Sequence, residues 1–172
     1  PYFLWKLEFA KIFKEKGGFD IVIGNPPYVN IYKIPDEQKN YYLKNNKYKS
    51  AVQKFDLYVL FMEMSFSILK SKGISSFIVS NKWLSQGYGK GIREIYLNKC
   101  IYRLINFNFK VFDATVDTVI VVACNIEMKD ENIMVLNMYQ KNLTNNRGDI
   151  LNRIKDLLYN DESYNKVPKS IF

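Results

Sequence analysis

The stretch that decides the fold is Phe19-Asp20-Ile21-Val22-Ile23-Gly24-Asn25-Pro26-Pro27-Tyr28. Its first five residues form a short, largely β-branched run, which predicts a buried strand. Gly24 and the two prolines then end that strand abruptly. Open α/β sheets bind ligands at the carboxyl ends of their strands, so we expect a functional site in the turn that follows.

Strands and helices alternate along the rest of the chain. Further strands are expected at 74–79, 101–107 and 118–124, an edge strand at 133–139, and helices at 36–44, 55–70, 89–98 and 149–159. The basic stretch Lys70-Ser71-Lys72-Gly73 is expected to end the helix at 55–70 with a glycine cap. The pattern predicts an α/β fold with a mostly parallel sheet, in which the strand at 118–124 is antiparallel.

The composition narrows the kinds of site that the chain can carry. A net charge of +8 favours polyanionic partners. The sequence contains no histidine, which removes the commonest general base and zinc ligand, and we expect no metal site. Cys100 and Cys124 lie in or beside apolar stretches, which favours buried thiols in a cytoplasmic, reducing compartment. No apolar run reaches transmembrane length, so no membrane partner is expected.

The turn Asn25-Pro26-Pro27-Tyr28 has the chemistry of a receptor for a planar group with an exocyclic amine. The prolines fix the backbone, so that the Asn25 side-chain oxygen and the Pro26 carbonyl can each accept one amine hydrogen. The Tyr28 ring can stack on a base, a contact worth about 1–3 kcal/mol. A base reaches such a pocket only by leaving the duplex. The alternative is a plain turn after a strand.

This tetrapeptide resembles motif IV of the amino-methyltransferases, in the form typical of adenine-N6 DNA methylases. Over roughly residues 3–126 the chain is also similar to the bifunctional, type IIG-like restriction-modification enzymes. The stretches that carry this likeness, in order, are Trp5-Lys6-Leu7-Glu8-Phe9, Gly18-Phe19-Asp20, Lys54-Phe55-Asp56-Leu57-Tyr58, Gly73 to Trp83, and Val111-Phe112 with Thr118-Val119-Ile120.

The resemblance implies a partial Rossmann-like methyltransferase fold that holds the C-terminal half of the sheet. Residues 1–128 would form the half-domain that binds the target base, and residues 129–172 a connector or the start of a target-recognition region. The implied function belongs to a restriction-modification system: a site-specific DNA methyltransferase that moves a methyl group from S-adenosylmethionine to the N6 amine of a flipped adenine in double-stranded DNA.

The resemblance also assigns roles to individual residues. Asn25 and Pro26 would bind the target amine, and Tyr28 would stack on the adenine. Pro27 and Phe112 would contribute to the base site, with Phe112 closing the other face of the base. Phe61 would pack against the adenosyl part of the cofactor. For Phe112 and Phe61 a purely structural role stays open, and for Phe61 that role is a core position on a buried helix.

The family binds its cofactor with a glycine-rich turn after the first strand and an acid at the end of the second. Both precede motif IV by many tens of residues, whereas 24 residues precede Asn25 here. We therefore expect a piece of a longer enzyme that lacks most of the cofactor site and does not methylate alone. The cluster Gly87-Tyr88-Gly89-Lys90-Gly91 stands in the wrong place, and it is interpreted as a flexible helix entry rather than a phosphate cradle.

Other functions remain open at this point. A protein-glutamine or RNA methyltransferase can share the same tetrapeptide. A non-catalytic DNA-binding remnant would use the lysines and tyrosines of residues 29–54, which are otherwise a solvated loop. The triplet Glu37-Gln38-Lys39, with Asp20 upstream, has the spacing of a nuclease site. Because it follows Pro35 in a polar loop rather than lying on paired strands, we interpret it as solvated charge.

Overall fold

The computed structural model describes residues 3–44, 47–52, 54–112, 117–128, 132–139 and 147–171, and within these ranges six strands form one mixed sheet. The helices are α1 (Trp5–Glu8), α2 (Ala10–Lys16), α3 (Asp36–Lys44), α4 (Tyr58–Ile68), α5 (Lys90–Leu97) and α6 (Arg147–Tyr159). The strands are β1 (Phe19–Gly24), β2 (Leu69–Ser80), β3 (Lys99–Phe107), β4 (Thr118–Glu127), β5 (Asn132–Met138) and β6 (Asn165–Pro168).

The strand order across the sheet is β1-β2-β4-β3-β5-β6. β1, β2, β3 and β5 run in one direction, while β4 and β6 run in the other. The α/β fold with mostly parallel strands and an antiparallel β4 is therefore confirmed. The edge position expected for β5 is wrong, because β6 pairs with its outer side through Ile133 and Val167. A four-residue strand is too short to show a periodic pattern in the sequence.

The strand expected to be buried, β1, is an edge strand in the described part of the chain, where its strand partner is β2. Ile21 and Ile23 are 62% and 78% exposed, whereas Val22 packs against the core on the opposite face. The prediction of a buried strand was wrong in this respect. A run of β-branched residues indicates a strand that can be buried on both faces. It does not show whether another element packs on each face.

No glycine cap ends α4, so that expectation was also wrong. The chain passes directly into β2, and Lys70-Ser71-Lys72-Gly73 forms a bulge, across which the register jumps from Phe19 opposite Leu69 to Ile21 opposite Ile74. The Asn125 side chain donates hydrogen bonds to the carbonyls of Phe66, Leu69 and Lys70, at 3.1–3.3 Å. An asparagine distant in sequence thus satisfies carbonyls that a C-terminal glycine motif would otherwise serve.

The sheet carries a core on each face. One core joins the sheet to α4 and α5 and includes the fully buried Phe55, Tyr58, Trp83, Ile92 and Tyr96. The other core combines residues of β3, β5 and α6 with Tyr164. The sheet thus includes strands from both sides of the boundary proposed between residues 128 and 129. That boundary remains a prediction about function.

The two cysteines are buried thiols, as expected. Cys100 on β3 and Cys124 on β4 lie opposite each other in the antiparallel register. The two cysteines are far apart in the sequence, and the pairing of β3 with β4 brings them together. None of the helices in the described ranges combines the length and the apolar character needed to cross a bilayer.

Candidate functional site

The turn after β1 lies at the carboxyl edge of the parallel strands. Because β1, β2 and β3 point the same way, the chain leaves each of them at this edge. Ser80 and Phe107 both pair with Thr118 at the start of β4. The Asn81 amide then donates to the Asp117 carbonyl at 3.0 Å. The turn that starts at residue 25, the turns after β2 and the loop after β3 therefore share one edge of the sheet.

The four residues of the turn differ in their access to solvent. Pro26 is buried, whereas Asn25 and Pro27 are exposed and Tyr28 is half-buried. Among the described residues the Asn25 side chain has no hydrogen-bond partner. Its amide oxygen is thus accessible to a ligand, on a backbone that a buried proline holds in place.

The Tyr28 ring is held in a fixed orientation. Its hydroxyl donates to the carbonyl of Ile78 on β2 at 3.1 Å. Its ring meets that of Tyr58 edge to face, with centroids 6.0 Å apart and planes at 73°. Burial raises the pKa of Tyr28, so the phenol remains a neutral donor. An aromatic side chain held by both a hydrogen bond and a ring contact is a preorganised surface for a planar ligand.

The segment that follows the turn is fastened to the approach to α4. The Leu57 amide donates to the Val29 carbonyl at 2.8 Å, and the Ile31 amide donates to the Phe55 carbonyl at 3.0 Å. Ile31 is fully buried in the core. Residues 29–31 and 55–57 therefore form a short antiparallel contact, which explains why the Lys54-to-Tyr58 stretch accompanies the turn in this fold.

Asp56 connects three segments of the site. One carboxylate oxygen accepts from the Asn30 side-chain amide at 3.1 Å, and the other accepts from the Tyr88 hydroxyl at 3.2 Å. The hydroxyls of Tyr88 and Tyr58 are 2.7 Å apart. Burial raises the pKa of Tyr88 to about 12, which keeps its hydroxyl proton available to Asp56. Nothing in the chain order links Asp56 with Tyr88, so this network carries no signal in the sequence.

A cleft of about 510 Å³ opens beside the turn. The residues that line it include Tyr28, Asn30, Asp56 and Tyr88. Lys33 and Lys82 contribute two ammonium groups, and neither forms an ion pair with any described residue. The cleft thus combines a fixed aromatic ring, hydrogen-bond acceptors and positive charge, which suits a planar polar ligand attached to an anionic group.

The two other phenylalanines of the expected site are both accessible. Phe61 is 40% exposed on α4, although its neighbours Leu60 and Met62 are buried, so the core position considered for it is wrong. Phe112 is 41% exposed on the loop after β3 and lies at the same sheet edge as the turn. The roles of both side chains, like those of Asn25, Pro26, Pro27 and Tyr28, remain predictions.

The glycine cluster at 87–91 does not form an open cradle. A Cβ atom at Gly89 would lie 2.0 Å from the Trp83 carbonyl oxygen, and one at Gly91 would lie 2.4 Å from the Lys49 carbonyl oxygen. Both glycines are buried, so their role is close packing of the backbone rather than the flexible entry that we expected.

The acidic triplet considered for a nuclease lies on a helix. Glu37-Gln38-Lys39 falls within α3, not on paired strands. Asp20, its upstream companion, pairs with Lys70 and Lys16 on the protein surface, and hydrogen bonds from these two lysines lower its pKa. The structure thus places the two acids on separate elements, Asp20 on β1 and Glu37 on α3.

Comparison with known proteins agrees with this geometry. Residues 2–112 match the model of the Eco57I restriction-modification methylase family. The chain is 36% identical over 93 residues to the type II restriction enzyme and methyltransferase RM.Eco57I of Escherichia coli, covering 52% of this chain and 9% of that protein. It is 32% identical over 103 residues to the type II methyltransferase M.PaeR7I of Pseudomonas aeruginosa, covering 60% of this chain and 16% of that protein.

The fold matches class I S-adenosylmethionine-dependent methyltransferase structures. The ATP-dependent type ISP restriction-modification enzyme LlaBIII, solved bound to DNA, superposes with a TM-score of 0.61 at 16% identity, covering 93% of this chain and 13% of that one. The chain spans only about a tenth to a sixth of the length of the curated relatives described above. Since the family model covers well over half of these 172 residues, the chain belongs to the Eco57I restriction-modification methylase family.

Proposed function

We propose that this chain forms the target-base half of a DNA adenine-N6 methyltransferase that works within a restriction-modification system. The observation that carries the proposal is the turn Asn25-Pro26-Pro27-Tyr28 beside the cleft at the carboxyl edge of the sheet. The family and the fold support methyl transfer, and the chemistry of the turn supports an amine as the acceptor.

In this proposal the chain's own residues position the amine. The Asn25 side-chain oxygen and the Pro26 carbonyl each accept one hydrogen of the adenine amine, which directs the nitrogen lone pair away from the ring plane. Tyr28, fixed by Ile78 and Tyr58, stacks on the adenine. Phe112 covers the other face, and Pro27 borders the base. Catalysis is then positioning and electrostatics, with no covalent intermediate on the enzyme.

When bound, S-adenosylmethionine supplies an electrophilic methyl group. The described residues fit only one part of it, because Phe61 offers an exposed aromatic ring. The space beside Gly89 and Gly91 is occupied by neighbouring backbone atoms. We propose that the remaining contacts come from residues that pair with the open edge of β1. The exposed Ile21 and Ile23 on that strand support this proposal, because burying them would stabilise such a pairing.

The test is methyl transfer by the full-length enzyme that contains this chain. Duplex DNA is incubated with labelled S-adenosylmethionine, and N6-methyladenine is measured after digestion. We expect Asn25→Ala to lower the rate about 10²- to 10³-fold, as for loss of one group that stabilises the transition state. Tyr28→Ala should lower it strongly, whereas Tyr28→Phe keeps the ring and should retain most of the rate.

Two exposed residues of α6 provide matched controls. Asn152→Ala and Tyr159→Ala should leave the rate unchanged. If Asn25→Ala and Tyr28→Ala both methylate at the wild-type rate, the proposed mechanism is wrong. Methyl transfer to a glutamine peptide or to RNA, without transfer to duplex DNA, would replace the proposed substrate.

A further inference from the structure

An exposed aromatic ring lies four residues beyond the half-buried Tyr28. Tyr32 is 59% exposed, although the residue before it, Ile31, is fully buried. The Asn30 side chain accepts a hydrogen bond from the Tyr32 amide at 3.2 Å, and Asn30 itself donates to Asp56. The backbone that carries Tyr32 is thus anchored by the same network that lines the cleft, so the ring stands on a rigid base in solvent.

Lysines surround this ring. The Lys39 and Lys54 ammonium groups lie 5.7 and 5.8 Å from the centroid of the Tyr32 ring, within cation–π range. Lys39 also pairs with Asp36, and no described carboxylate pairs with Lys54. Lys33, next to Tyr32 in the chain, lines the cleft beside Tyr28. Positive charge therefore runs continuously from the cleft to Tyr32.

The other tyrosines of this region differ from Tyr32. Tyr41, Tyr42 and Tyr48 are half-buried, and their rings pack edge to face on one another, with centroids 5.6–6.1 Å apart. The Lys47 ammonium group lies 5.2 and 5.7 Å from the ring centroids of Tyr41 and Tyr48. Of the described tyrosines in residues 29–54, Tyr32 is the one whose ring is mostly exposed while cations flank it.

We propose that Tyr32, Lys33 and Lys54 form a second nucleotide-binding site, which holds the DNA strand next to the flipped base. Tyr32 stacks on an unpaired base, while Lys33 and Lys54 contact the phosphates between that base and the cleft. This inference rests on the proposed function, since it assumes DNA as the substrate. A fixed aromatic ring with flanking lysines is the usual arrangement for single-stranded nucleic acid, and it needs no particular base sequence.

Binding of labelled oligothymidylate by the 172-residue chain, followed by fluorescence anisotropy at several salt concentrations, tests the proposal. We expect Tyr32→Ala to weaken binding about tenfold and Tyr32→Phe to preserve it, because stacking needs the ring. Lys54→Gln should lower the slope of log K against log salt by about 0.7, as for loss of one phosphate contact on a single strand. Tyr159→Ala and Lys166→Gln, two exposed residues near the C-terminus, are the matched controls.

Binding of inorganic polyphosphate separates stacking from charge. Tyr32→Ala should leave polyphosphate binding unchanged, and an equal loss for both ligands would overturn the stacking role. Wild-type oligonucleotide binding by Tyr32→Ala, with unchanged circular dichroism, would overturn the whole site. This binding experiment is independent of the methylation assay. If binding depends on Tyr32 but the full-length enzyme does not methylate adenine, the proposed function is refuted and the Tyr32 site is retained.

Discussion

At the scale of single residues, the site depends on side chains that hold one another rather than on one reactive group. Asn25 presents an accessible amide, and Tyr28 is fixed by the hydrogen bond from its hydroxyl and by the contact of its ring with Tyr58. Asp56 links Asn30 to Tyr88. The absence of histidine is compatible with the proposed mechanism, in which a correctly oriented amine needs no nucleophile on the enzyme.

Asp56→Ala is a direct test of that linkage. The substitution leaves the Asn30 amide and the Tyr88 hydroxyl without their acceptor, so we expect the free energy of unfolding to fall by about 1–3 kcal/mol. Asp56→Asn keeps one acceptor oxygen and should lose less. Urea unfolding followed by circular dichroism measures both. Equal stability of the alanine variant and the wild type would show that the network does not hold the fold.

At the scale of elements, the sequence predicted most of the helices and strands but not their surroundings. The helix expected at 55–70, observed as α4 (Tyr58–Ile68), follows from apolar periodicity, and the antiparallel β4 follows from linker length; both are local properties. The bulge at 70–73 was missed because it depends on Asn125, more than fifty residues away. The turn of the site could be predicted since its residues are contiguous, whereas the Asp56–Tyr88 contact could not, since tertiary folding creates it.

The packing of α5 gives a second prediction. A methyl group at Gly91 would lie 2.4 Å from the Lys49 carbonyl oxygen, which belongs to backbone and has little room to move. Gly91→Ala should therefore separate α5 from residues 49–50 and destabilise the protein by about 1–3 kcal/mol.

The exposed neighbour Lys90 provides the control, because Lys90→Ala adds no atoms at the contact. Thermal unfolding of the two variants distinguishes them. A Gly91→Ala protein as stable as Lys90→Ala would show that the close approach is not needed for packing.

At the scale of the whole molecule, β6 and β1 are the two edge strands of the sheet that the described residues form. An exposed strand edge with apolar side chains favours association with other strands. We expect Ile23→Lys to reduce self-association without loss of stability, since Ile23 is 78% exposed. Val22→Lys, on the core face, should destabilise the fold strongly.

Sedimentation velocity measures the association, and urea unfolding measures the stability of both variants. Similar stability losses for Ile23→Lys and Val22→Lys would contradict the orientation of β1. Unchanged association of Ile23→Lys would show that this edge is not the contact surface.

The position of β4 has a consequence for synthesis on the ribosome. β2 and β3 do not pair with each other, because β4 lies between them and hydrogen-bonds to both. β2, next to the strand that leads into the turn, and β3, which leads into the loop of Phe112, are therefore not connected by strand hydrogen bonds until Thr118–Glu127 has left the exit tunnel. The match to the family model ends at residue 112, before that strand begins. A nascent chain that stops there holds every residue of the proposed site but lacks the strand that brings them together.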